Sequence, residues 1–132
     1  MSRRYVLDDL AVVAGLGEYG TEHHRREFAR LLVGAVDGGL SVACPAVCLA
    51  VAGQVRPAIV AHLAHLVATC PADAITLPGL TRTGMLDAIR DMYPHLGWPG
   101  VHAVTTALSR TSLLVTTDTA RYDGIPLDVI DL

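Results

Sequence analysis

The sequence predicts an α/β fold in which a parallel sheet of about five strands is covered by helices on both faces. Three observations lead there. Short apolar, β-prone runs recur along the chain, longer segments with helical periodicity separate them, and Gly, Pro or Asp closes most of the runs.

The elements follow in order. Tyr5-Val6-Leu7 is a β-prone run that ends on Asp8 and Asp9, and Leu10 to Leu16 reads as a first helix broken at Gly15 and Gly17. Thr21 to Val36 is the longest amphipathic helix, with Glu22 early, Phe28, Leu31, Leu32 and Ala35 on one face, and Gly38-Gly39 as its stop. Leu40 to Ala43 gives a second strand, and Pro45 suits the first turn of a helix running towards Gly53. Arg56 to Thr69 repeats the helical spacing through Ile59, Leu63, Leu66 and Val67. Ala74 to Leu77 is a third strand closed by Pro78-Gly79, after which Thr81 or Thr83 is placed to cap a helix carrying Met85, Leu86, Ile89 and Met92. Pro94 and Gly97 interrupt that helix, and Val101 to Ser109 resumes as another. Leu113 to Thr116 and Leu127 to Ile130 supply the fourth and fifth strands. Residues 1–132 read as one domain, long enough to bury a core without disulfides.

Composition excludes several classes of function. A hydrophobic fraction of 52% is high, but no apolar run approaches the roughly 18 residues of a membrane span, and no signal-peptide core follows Arg3 and Arg4. The expectation is a cytoplasmic protein with no membrane partner. All ten basic residues are Arg, so mechanisms that need an ammonium group are excluded, a Lys-dependent phosphate loop among them. A formal charge of −3 gives no overall attraction to nucleic acid, although Arg25, Arg26 and Arg30 either grip a phosphate or form a solvated helix face pairing with Glu22 and Glu27. Cys44, Cys48 and Cys70, an odd set with apolar neighbours, read as buried thiols.

Two acids stand at strand ends: Asp8 after the first run and Asp118 after the fourth. In a parallel sheet both strand ends open on one crevice, where ligands gather. Each acid also stands where a helix or turn begins, so helix capping accounts for either one alone.

Around these acids lie Tyr5-Val6-Leu7-Asp8, then Val42-Ala43-Cys44-Pro45-Ala46-Val47-Cys48-Leu49-Ala50, then His102-Ala103-Val104 through Leu114-Val115-Thr116-Thr117-Asp118-Thr119-Ala120-Arg121-Tyr122. Over nearly its whole length the chain resembles PIN domains of the VapC toxin type. The resemblance implies a three-layer α/β/α sandwich and a ribonuclease centre in which several carboxylates hold Mg²⁺ or Mn²⁺ and a bound water attacks the phosphodiester. By motif position Asp8 takes the place of the first acid, Asp118 that of the last and Thr116 that of a nearby hydroxyl. Asp9 either adds a third metal-facing carboxylate or caps the helix.

The departures shape the functional expectation. An acid implied on the helix after the second strand is replaced by Val51, and one before the fourth strand by Gly100. Mg²⁺ can be held by one or two carboxylates plus substrate phosphates, so weak binding through Asp8, Asp9 and Asp118, or none, is expected. His102 is expected to be a helix residue with a hydrogen-bond partner more than a substitute ligand, and Trp98 either stacks a base or plugs the cleft edge. The expectation is a PIN-like regulator with a degenerate centre that binds RNA, a nucleotide or an antitoxin-like protein and forms a homodimer. The alternative is an active Mg²⁺- or Mn²⁺-dependent endoribonuclease toxin, a hydrolase.

Overall fold

A computed structural model describes residues 3–132. Its sheet is parallel throughout, with five strands in the order β3-β2-β1-β4-β5: β1 Arg3–Leu7, β2 Leu40–Ala43, β3 Ile75–Thr76, β4 Leu113–Thr116 and β5 Val129–Asp131. The α/β class and the five strands expected from the sequence are present. β1 is the central strand, pairing Tyr5 with Val42 on one side and with Leu113 on the other. Successive strand side chains point to opposite faces, yet Tyr5, Val6 and Leu7 are all buried, so both faces of β1 are covered.

The covering helices are α1 Asp9–Leu16, α2 Glu22–Val36, α3 Ala46–Val55, α4 Ala58–Thr69, α5 Thr83–Met92 and α6 Gly97–Arg110. Among the described residues, none is long and apolar enough to cross a membrane. α1 and α2 approach closely because Gly15 has no side chain: a Cβ there would fall 2.2 Å from the Phe28 ring, and Phe28 is fully buried as a result. Burying such a side chain stabilises the fold by about 1.5–3 kcal/mol. α2 begins as expected at Thr21, whose hydroxyl accepts from the His24 amide while His24 Nδ1 accepts from the Thr21 amide.

Two helix starts differ from expectation. Neither Thr81 nor Thr83 caps α5; its N-cap is Arg82, held in the left-handed region (φ 53°) with no side-chain cap. α6 begins at Gly97, earlier than Val101, because the break at Pro94–Leu96 is a single 3₁₀ turn and Gly97, at φ 65°, lets the chain re-enter a helix at once. Residues Gly100 to Ala107 of α6 are all buried, which makes it the interior helix. Thr105 and Thr106 survive there by returning their hydroxyls to the Val101 and His102 carbonyls, each at 2.8 Å.

Candidate functional site

β1 leads straight into α1, and that junction fixes Asp8. Its backbone is extended, its side chain accepts the Ala11 amide at 2.8 Å, and it is the N-cap of α1. Asp9, which the sequence left open between cap and ligand, is the first helical residue and points inward, 7% exposed.

Asp8 is wholly buried and needs partners to be tolerated there. The Tyr122 hydroxyl donates to its Oδ2 at 2.7 Å, and Arg121 Nη1 stands 3.4 Å from the same oxygen. That Arg121 nitrogen also donates to Asp9 Oδ1 at 2.7 Å, while Nη2 donates to the Leu96 carbonyl at 3.0 Å. Both residues belong to the 3₁₀ turn Thr119–Tyr122 that follows β4. β4 neighbours β1 in the sheet, so this turn passes over the strand end that carries Asp8. Arg121 and Tyr122 lie within the quoted motif, but the sequence assigned them no role. The usable signal was an Arg three residues beyond a strand-end acid.

Electrostatics follow from this enclosure. Burial pushes the Asp8 carboxyl above the ordinary carboxylate range, against the opposing pull of the Tyr122, Ala11 and Thr116 hydrogen bonds. Burial and the adjacent Asp8 carboxylate push the Tyr122 phenol upward, so it stays protonated and donates. Burial works against the Arg121 cation, but the hydrogen bond and charge of Asp9, with further support from Asp8, raise its pKa on balance. Cys44, at the end of β2, is pushed up to about 12 by burial and by these same carboxylates, and Cys48 is also pushed up by burial. Cys48 donates its thiol to the Pro99 carbonyl at 3.1 Å. Neither thiol is set up as a nucleophile. All three cysteines are free, with Cys44 and Cys48 buried and Cys70 half-buried.

Thr116 is buried and lies against Asp8, and its hydroxyl oxygen accepts the Asp118 amide at 3.2 Å. Asp118 itself is exposed, and its carboxylate caps nothing in the turn that follows. The structure therefore gathers Asp8, Asp9 and Thr116 into one buried cluster and leaves Asp118 outside it. The common cleft expected for Asp8 and Asp118 is filled on the Asp8 side by Arg121 and Tyr122.

The remaining sequence candidates resolve individually. His102 is buried; its Nδ1 accepts the Val47 amide at 3.3 Å, which puts the proton on Nε2, 3.2 Å from the Gly79 carbonyl. Pro45 offers no side-chain cap to α3, so His102 reaches across from α6 to supply an acceptor there. Burial lowers its pKa, in keeping with a neutral ring. Val51 is half-buried on α3. Trp98 plugs nothing: it is 48% exposed, with the Arg90 guanidinium 5.1 Å above its ring. The Arg25, Arg26 and Arg30 group takes the solvated form, with Arg26 4.0 Å from Glu22 and Arg30 3.4 Å from Glu27. His62 and His65 are exposed on α4.

This cluster would meet a divalent ion with two carboxylates and a competing cation, Arg121. Among the described residues no three of His, Cys, Asp or Glu converge on a point where one could be held. A divalent cation about 4 Å from the Arg121 guanidinium would meet repulsion of roughly 8 kcal/mol at an effective dielectric near 20, which cancels the attraction of one carboxylate at the same distance.

No protein-family model matches the chain, and no curated protein sequence matches it. Among solved structures it is similar to a chain of the crystal structure of VapBC2 from Rickettsia felis bound to a DNA fragment from their promoter. The TM-score is 0.68 at 13% sequence identity, with 98% of each chain covered. At that identity the likeness shows a shared fold over the whole length, the PIN-like α/β arrangement.

Proposed function

We propose that this chain is a PIN-fold regulator that acts by binding a partner and performs no hydrolysis. The observation that carries the reading is the state of Asp8: both carboxylate oxygens face donors of the chain itself, the Ala11 amide on one and Tyr122 with Arg121 on the other. A metal ligand must present a free lone pair, and a general base must present one to a water; with Ala11, Tyr122, Arg121 and Thr116 arrayed around its two oxygens, Asp8 is poorly placed for either role. Thr116 and Asp118 then lack the partner acid that a nuclease centre would require. On the resemblance, the bound partner is an antitoxin-like protein, with RNA or a nucleotide as the competing cargo, and the working form is a homodimer.

Calorimetric titration of Mn²⁺ into the purified chain, beside an RNA-cleavage assay, tests the reading. The expected result is no micromolar heat and no Mn²⁺-dependent cleavage. Micromolar binding that vanishes in Asp8→Asn, together with cleavage, would establish the active endoribonuclease with Asp8, Asp9 and Asp118 around one metal. Copurification from the native host then separates a protein partner from RNA.

A further inference from the structure

We infer that Arg121 is the resident cation of this centre, a guanidinium that holds the Asp8 and Asp9 carboxylates where a metal ion would otherwise be required, with Gly100 providing its berth. The inference rests on the binding reading above and goes further, since it says why the centre is closed and what would open it.

Charge is the first ground. Asp8 and Asp9 are adjacent in sequence and both buried, 0% and 7% exposed, an arrangement of two acids that a fold tolerates with a cation between them or a proton on one of them. Arg121 is that cation: its side chain is only 16% exposed, and Nη1 reaches both carboxylates, at 2.7 Å from Asp9 and 3.4 Å from Asp8. The buried His102 is committed elsewhere, to Val47 and Gly79.

Anchoring is the second. Nη2 is fixed by the Leu96 carbonyl at 3.0 Å, and the backbone carbonyl of Arg121 lies 3.0 Å from His95 Nε2. The plane of the guanidinium is thus tied to the Leu96 end of the 3₁₀ turn as well as to the acids, which suits a built-in ion better than a side chain that merely reaches inward.

Space is the third. A Cβ on Gly100 would fall 3.3 Å from both Nε and Nη2 of Arg121 and 3.0 Å from the Leu96 Cβ. Even a Cβ there would require the guanidinium and Leu96 to give by about a few tenths of an ångström, and a longer side chain would compete with the guanidinium for the same space. Gly100 is one of the two positions at which the sequence departs from the acid pattern. The departure and the cation meet at one point: the position that gives up an acid is the position over which Arg121 lies.

The test uses the full chain and reads metal binding through thermal stability and calorimetry, independently of RNA cleavage. Arg121→Gln removes the charge but keeps a donor for the Leu96 carbonyl, and Arg121→Lys keeps the charge without the fork. The expected result is that the wild-type Tm is indifferent to Mn²⁺, that Arg121→Gln melts lower, and that Mn²⁺ at about ten times its Kd restores about 5 °C to it. Adding Asp8→Asn to Arg121→Gln should abolish that restoration, and Arg121→Lys should stay indifferent to Mn²⁺. If Arg121→Gln is insoluble alone, its recovery in soluble form on refolding with Mn²⁺ but not with EDTA carries the same meaning. Failure of Mn²⁺ to stabilise or recover Arg121→Gln overturns the resident-cation assignment and leaves the binding reading intact. Micromolar Mn²⁺ binding by the wild type overturns both.

Discussion

The carboxyl ends of β1 and β4 lie side by side in the sheet, and each is followed by an acid, yet the two acids have opposite fates. Asp8 is sealed in with four partners of the chain's own, while Asp118 stands in solvent. The difference lies in what each strand runs into. β1 passes directly into α1, whose free amides at its start draw the Asp8 carboxylate down onto Ala11. β4 passes into a 3₁₀ turn in which Asp118 offers its amide to Thr116, and the turn spends its reach on carrying Arg121 and Tyr122 back over β1. Strand-end position gives an acid access to a crevice; the turn after it decides whether the side chain enters.

The largest way to break the comparison is to empty the β1 end. Asp8→Ala strands the Tyr122 hydroxyl and the Ala11 amide and takes one carboxylate from Arg121, a loss of about 3–5 kcal/mol in urea unfolding. A change below about 1 kcal/mol would mean that the cluster is looser than its 2.7 Å contacts imply. A smaller effect comes from pH. The Asp8 pKa lies above its ordinary value of 3.8 in the folded chain, chiefly through burial, so the native state keeps a proton that the unfolded chain has released. Stability from this carboxyl is therefore full below the unfolded value and falls as pH rises through the folded one. Melting the wild type and Asp8→Asn in parallel from about pH 4 to about pH 7 isolates this group: the wild type should lose ground to the variant as pH rises. A constant gap between them would show that Asp8 does not titrate in that window.

The same two strand ends mark the limit of what the sequence could reveal. β2 and β4 have the expected bounds, because a short β-prone run between turn residues leaves little freedom. β5 is displaced, expected from Leu127 and found from Val129, since the run there is weakly patterned and the strand lies at the sheet edge. The capping role of Asp8 was legible locally, as a strand-end acid before a helix. The partnership of Asp8 with Arg121 was not, because the two are 113 residues apart and meet only through the placement of β4 next to β1. Gly100 was legible as a departure, but what fills its space depends on that same crossing of chain. Trp98, the only aromatic of that segment, stays 48% exposed, and it is the Arg121 guanidinium that lies against Gly100.

The smallest expected effect sharpens the comparison most. Asp118→Ala removes a carboxylate that is exposed and caps nothing, while leaving the amide that Thr116 accepts, so stability should change by no more than about 0.5 kcal/mol. Residues in an intact metal centre behave otherwise: with Mn²⁺ bound, deleting a ligand lowers both affinity and Tm. Asp118→Ala is therefore to be melted with and without Mn²⁺, and the two curves should overlay each other and the wild type. If Mn²⁺ stabilises the wild type and Asp118→Ala abolishes that gain, the exposed acid is a ligand after all, and the two strand ends share one site. An Asp118→Ala chain indistinguishable from wild type assigns the two acids separate fates, with the β1 end completed by Arg121 and the β4 end serving as the turn that delivers it.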